Sequence, residues 1–160
     1  MPTAHPTSFI HPLAYVVGNV TLGRRVSVWP FASIRGDSDA ITVGDDTNVQ
    51  DGCVIHVDDG IPCHIGKRVG IGHRAIVHGA VIEDDVLIAM GAVLLNGVHV
   101  GSGSIIGAGA VVREGFVVPA NSLVLGVPGR IVRETTMQER DRITKTVESY
   151  VELQLKYRGA

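Results

Sequence analysis

Aromatic side chains are scarce in this 160-residue chain: three Phe, one Trp and three Tyr, 4% of the whole. The core must therefore be assembled from something other than rings. Cysteine is nearly as rare. Cys53 and Cys63 cannot make a disulfide framework, so a reducing, cytoplasmic setting is expected. Charge of one sign is also missing, with 14 Lys and Arg against 16 Asp and Glu. That balance gives no basic field for nucleic acid. No apolar run approaches the ~18 residues of a membrane helix. The opening Met1-Pro2-Thr3-Ala4-His5 has no charged leader before a greasy segment. Neither nucleic acid nor a membrane is an expected partner.

What is present is 25 Val, 14 Ile and 20 Gly, in a chain 45% hydrophobic. So large an apolar fraction can bury a core, which excludes disorder. Glycine lacks a strict three-residue period, which excludes collagen. β-branched residues punctuated by glycine point to many short strands and tight turns.

An internal repeat specifies how those strands are arranged. Ile, Val or Leu stands at 10, 16, 22, 28 and 34, then at 43, 49 and 55, then at 65, 71 and 77. The series resumes at 82, 88, 94, 100, 106, 112, 118 and 124. The period is six, with three frame slips: 34 to 43, 55 to 65 and 77 to 82. Four residues after each repeat start the residue is mostly small, as at Ala14, Ala32, Ser38, Thr47, Cys53, Ala75, Ala92, Ser104, Ala110 and Ser122. Six residues make a short strand and a corner, and three such units close a triangular coil. Coils stack at the strand spacing of about 4.8 Å, with the aliphatic residues inside. Nineteen units make about six coils. A sandwich of alternating strands would show a period of two instead.

The expected fold is thus an all-β solenoid over residues 1–130. The pattern resembles the hexapeptide-repeat, left-handed parallel β-helix proteins, and the left hand is implied by that resemblance alone. Beyond Pro128-Gly129 the pattern changes. Thr136 with Glu139 forms a capping-box signature, and Met137, Ile143, Val147, Val151 and Leu155 fall near helical spacing. The segment 131–160 is expected to hold a helix over about 136–157, laid on the solenoid.

The repeat frame also sorts the seven histidines. His56 follows Ile55 and His78 follows Val77, so the two stand one above the other if 56–64 is a loop between coils. Two stacked imidazoles can share one metal. His73 lies five residues before His78, so an extended chain separates their Cα atoms by roughly 15 Å at ~3.3 Å per residue. That is too far for bonds of about 2.1 Å to one ion. A threefold ring of solenoids removes the difficulty, because His73 of one chain then meets His56 and His78 of the next. Three histidines with an open fourth position make the arrangement of catalytic zinc. Cobalt and iron(II) suit the same ligands. His5, His11, His64 and His99 fit no site pattern, Cys53 is expected to be a buried space-filler, and Cys63 lacks a positioned partner for a metal.

The run Asn48-Val49-Gln50-Asp51-Gly52-Cys53-Val54-Ile55-His56, the run Ile71-Gly72-His73-Arg74-Ala75-Ile76-Val77-His78-Gly79 and the triplet Arg35-Gly36-Asp37 resemble the gamma-class carbonic anhydrase family. The likeness extends from about Ile10 through the C-terminal helix. It implies His56, His73 and His78 as zinc ligands at the interfaces of a homotrimer, and Gln50 beside the reacting water or bicarbonate. It further implies an ion-pair network of Arg35, Asp37 and Asp51 across the interface, and Tyr150 brought near the metal by the helix. The implied reaction is reversible hydration of carbon dioxide to bicarbonate, zinc lowering the pKa of its water towards 7.

Two departures point to the short subgroup of that family, whose turnover is low. Ser38 stands where the active members carry a glutamate, and only Val57-Asp58-Asp59-Gly60-Ile61-Pro62-Cys63 replaces their long acidic loop. Other readings stay open. The same solenoid hosts acyltransferases that bind an acyl-coenzyme A between subunits and use a single histidine base. A metal-dependent acyl-coenzyme A thioesterase, or a metal-binding homologue without turnover, also fits.

Overall fold

A two-residue strand and a four-residue corner are what the six-residue period builds. From Leu87 to Val118 the strands are Leu87–Ile88, Val93–Leu94, His99–Val100, Ile105–Ile106, Val111–Val112 and Val117–Val118. The first three each pair in parallel with the strand three units on: Leu87 with Ile105, Val93 with Val111, His99 with Val117. Three units therefore complete one turn, and the chain is a three-sided parallel β-solenoid followed by one helix, Met137–Arg158. The computed structural model describes residues 1–158. The last two residues of the expected 131–160 segment lie outside the described residues.

The core is a set of stacked columns. On one face Ile34, Ile55, Val77, Leu94 and Val112 lie in register, all fully buried. Val28, Val49, Ile71, Ile88, Ile106 and Val124 do the same on another. Ala32, Cys53, Ala75, Ala92 and Ala110 fill one interior edge, each fully buried. A larger side chain has no room where the chain turns inward. Two positions of the pattern fall outside this column. Ile10, on the first rung of its face, is 37% exposed. Ser38 is exposed because it lies in a stretched edge and not at a packed corner.

Two faces carry seven rungs rather than the six coils expected. Thr3–Ala4 pairs with Thr21–Leu22 and adds a rung ahead of the first aliphatic position. At the far end, Arg130–Glu134 folds back antiparallel on Ser122–Leu125, so the sheet continues past residue 130.

All three frame slips fall on one edge of the prism, between the face of Ile34, Ile55 and Val77 and the face of Val43, Ile65 and Ile82. In the first, the strand Ser33–Val43 crosses the edge unbroken. In the second, residues 57–62 form a small loop closed by an Asp58–Ile61 bridge. The third is a tight corner at Gly79-Ala80. This edge carries the candidate site.

The helix covers the face of Asn48, Gly70 and Leu87. Its capping box forms as patterned: the Thr136 N–H donates to Glu139 Oε2 at 2.8 Å, and the Glu139 N–H to Thr136 Oγ1 at 3.2 Å. Ile143 packs against Leu87, Ile105 and Leu123. Tyr150 and Tyr157 meet the Trp29 ring edge-on, at 5.4 and 5.3 Å between centroids. The expected apolar stripe drifts off this face. Met137 and Leu155 are exposed, while Ile143, Val147 and Gln154 are buried, because contacts at 3.6 residues per turn follow 143, 147, 150, 154 and 157. No helix of the described residues is long and apolar enough to cross a membrane.

Candidate metal centre

The register places His78 directly over His56, with Arg35 one rung below. His56 Nδ1 and His78 Nε2 face each other at 3.0 Å. Two nitrogens on one tetrahedral ion lie roughly 3.4 Å apart when the bonds are about 2.1 Å, so the pair is aimed at one point. Asp58 joins them. Among the described residues, His56, Asp58 and His78 form the one group of His, Cys, Asp or Glu whose donor atoms all lie within 4.8 Å of each other. Two imidazoles and a carboxylate suit the borderline divalent cations zinc, iron(II) and cobalt(II). The donor set fits such an ion.

Each ring is held from behind. His56 Nε2 donates to Asp37 Oδ1 at 2.8 Å, and Asp37 also pairs with Arg35. The hydrogen bond from His56, with the Arg35 charge adding to it, keeps the Asp37 carboxyl below the usual carboxylate range. His78 Nδ1 bonds Asn96 Oδ1 at 2.7 Å, and Asn96 Nδ2 donates to Asp58 Oδ2, also at 2.7 Å. Such outer partners fix ring orientation at metal sites. Asn96 and the placing of Asp58 beside the two imidazoles were not readable from the repeat.

His73 belongs to a different edge and is not in this cluster. It sits at the corner between Gly70–Ile71 and Ile76–His78. Its Nδ1 lies 3.1 Å from Asp51 Oδ2, and its backbone N–H donates to Gln50 Oε1 at 3.2 Å. Gln50 is buried, and its Nε2 donates to Asn48 Oδ1 at 2.9 Å. The structure therefore divides the eight expected site residues into two groups. Arg35, Asp37, His56 and His78 share one edge. Gln50, Asp51, His73 and Tyr150 share another, where Asp51 pairs with His73 within the chain.

Beside His73 a cleft of about 300 Å³ opens between solenoid and helix. Gln50, Leu87, Ala89, Met90, Thr146 and Tyr150 line it. Burial, with the Asp51 charge adding to it, pushes the Tyr150 phenol above its ordinary value. Both cysteines are fully buried, and burial pushes each thiol up to about 11. Neither belongs to the metal cluster. His99 pairs with Glu83 at 2.8 Å and His64 with Thr42 at 2.8 Å, away from it.

A protein of Methanocaldococcus jannaschii described as a probable carbonic anhydrase is 57% identical over 140 residues, 88% of this chain and 88% of that one. This chain belongs to the gamma carbonic anhydrase-like hexapeptide-repeat family. A family profile described as bacterial transferase hexapeptide (six repeats) matches residues 79–114. The carnitine operon protein CaiE of Escherichia coli is 39% identical over 139 residues, 87% of this chain and 71% of that one. Among solved structures, a hexapeptide transferase family protein from Anaplasma phagocytophilum superposes with a TM-score of 0.94 at 33% identity, covering 98% of this chain and 92% of that one. In this gamma carbonic anhydrase-like chain the two groups of expected site residues lie on separate edges of one prism.

Proposed function

We propose that the protein is a carbonic anhydrase: a cytoplasmic homotrimer that hydrates carbon dioxide reversibly to bicarbonate at metal centres shared between subunits. The observation that carries this reading is the stacked pair His56 and His78, three atoms of whose cluster converge on one point, set apart from His73 on another edge. Exposed apolar side chains support the interface. Val54 and Ile76 stand on adjacent rungs of the face that carries His56 and His78, each 37% exposed, and Tyr15, 58% exposed, lies below them past Ser33. An exposed apolar strip bordering polar site residues marks an interaction surface.

His56 and His78 would hold the cation, zinc on this reading, with the partner subunit's His73 completing the set. The ion supplies a Lewis acid that makes water a nucleophile at neutral pH. Asp37 keeps His56 from rotating by accepting its Nε2–H. Gln50 is itself locked by Asn48 and by the His73 amide, so its remaining N–H and lone pair point in fixed directions for orienting water or bicarbonate. Leu87, Ala89 and Met90 give the cleft apolar walls that suit a small non-polar gas. Tyr150 closes its helix side.

The experiment is metal analysis followed by stopped-flow carbon dioxide hydration on anaerobically purified, zinc- or iron-loaded protein. His73→Ala should weaken metal binding at every site although each chain keeps His56, Asp58 and His78. Unchanged metal affinity in that variant would overturn the shared site. A metal-loaded protein that hydrolyses acyl thioesters and leaves carbon dioxide untouched would overturn the reaction.

A further inference from the structure

The hydrogen bonds around Asn96 fix more than the ring they touch. A carboxylate only accepts hydrogen bonds, so the Asn96 atom 2.7 Å from Asp58 Oδ2 is the amide nitrogen. The carbonyl oxygen therefore faces His78, and at 2.7 Å from Nδ1 it can only accept. His78 must carry its proton on Nδ1, which leaves Nε2 with a bare lone pair. That is the nitrogen aimed at His56 and at the donor cluster.

The backbone reserves room for this contact. Asn96 stands over Gly79, two residues past the Val77–Leu94 pairing. Gly79 has φ +51, and a Cβ there would lie 2.5 Å from Asn96 Oδ1 and 2.7 Å from Ile61 Cγ2. With no side chain at 79, the Asn96 carboxamide lies down across the corner and reaches His78. The same carboxamide pins the loop 57–62 through Asp58, whose carbonyl accepts the Ile61 N–H at 3.1 Å.

We propose that Asn96 is the positioning residue of the metal centre: one carboxamide sets the tautomer of His78 and carries the Asp58 carboxylate into the donor cluster. The proposal rests on the metal-site reading above, but its central test does not need metal. In long-range proton–nitrogen spectra of the chelator-treated full-length protein at pH 8, His78 is expected as the Nδ1–H tautomer with a slowly exchanging ring proton. Asn96→Leu, which neither accepts nor donates, should lose that signal and shift His78 towards Nε2–H. Asn96→Asp keeps an acceptor for Nδ1–H while repelling Asp58, so it should keep the signal. An unchanged His78 tautomer in Asn96→Leu overturns the proposal, as does its loss in Asn96→Asp with the fold intact by circular dichroism.

A second readout is zinc affinity by chelator competition. Asn96→Leu should bind about 10–100-fold more weakly than wild type. Equal affinity in that variant overturns the assignment of Asn96 to the metal centre. Failure of the wild-type protein to bind zinc, iron(II) or cobalt(II) would instead count against the proposed function, and the tautomer result would still decide the role of Asn96.

Discussion

Replacing Gly79 by alanine tests the reserved space under Asn96 without touching any polar group. Gly79→Ala must place an L-residue at φ +51, and Gly109→Ala must do the same at φ +67. Each substitution costs about 1–2 kcal/mol for the left-handed backbone. The two sites differ in what a new methyl meets. At Gly109 nothing lies within 4 Å, whereas at Gly79 Asn96 Oδ1 would be 2.5 Å away. Restoring ordinary contact near 3.4 Å needs a shift of roughly 0.9 Å, and along the 2.7 Å bond to His78 that gives roughly 3.6 Å, beyond hydrogen-bond range. Overpacking adds about 1–3 kcal/mol. Urea denaturation at one fixed protein concentration should therefore show Gly79→Ala less stable than Gly109→Ala by that margin. Gly79→Ala should also weaken metal binding about tenfold or more, while Gly109→Ala leaves it unchanged. Equal stability and equal metal affinity in the two variants would refute the reasoning.

Glu139 gives a pH dependence with a defined sign. The Arg133 guanidinium, then the Thr136 N–H, hold its carboxyl at about 2 against an ordinary 4.5. A lowered folded-state value stabilises above the unfolded value and is lost as pH falls through the folded one. Glu139→Gln should therefore be less stable than wild type at pH 7, with the difference closing between pH 4.5 and 2; a difference constant across that range in thermal melts would contradict the pairing. Ile55→Ala, between Ile34 and Val77 in the buried column, should cost about 2–5 kcal/mol in chemical denaturation. A cost below about 1 kcal/mol would mean that the column is not close-packed.

Much of this molecule could be read from residue order because a solenoid converts order directly into height. Once the period of six is found and 56–64 is read as a loop between coils, Ile55 must lie under Val77, and His56 under His78 follows. The same ruler keeps His73 on another edge. Its resolution ends where side chains leave the register. Asn96 reaches sideways over Gly79, and Asp58 approaches from a loop whose length breaks the period, so neither shows in a count along the chain. A faint signal existed: Asn96 occupies the place above the one missing Cβ beside His78. The helix was legible in its cap and in the middle of its contact face, at Ile143 and Val147, but not at the ends, since Met137 and Leu155 are apolar yet point outward while Gln154 is buried. There the amide makes a specific bond, Nε2 donating to the Arg25 carbonyl at 3.1 Å, which an apolar stripe cannot foretell. The extra rung at Thr3–Ala4 went uncounted for a related reason. It is held by backbone pairing and has no aliphatic residue to announce it.

The three frame slips share an edge, and this separates two tasks within one short chain. The column of Ile, Val and Leu responds only to what happens inside each turn, where a single added residue would move every side chain above it to the wrong face. The outer edge is free of that constraint. It has absorbed three added residues after Ile34, four after Ile55 and one deletion after Val77, while Ile34, Ile55, Val77 and Leu94 still stack in line. A longer or shorter loop between His56 and Cys63 can therefore be written into this protein as an independent variable. Grafting there would replace Asp58, and with it the group that orients the Asn96 carboxamide, while the rungs that stack His78 over His56 stay as they are.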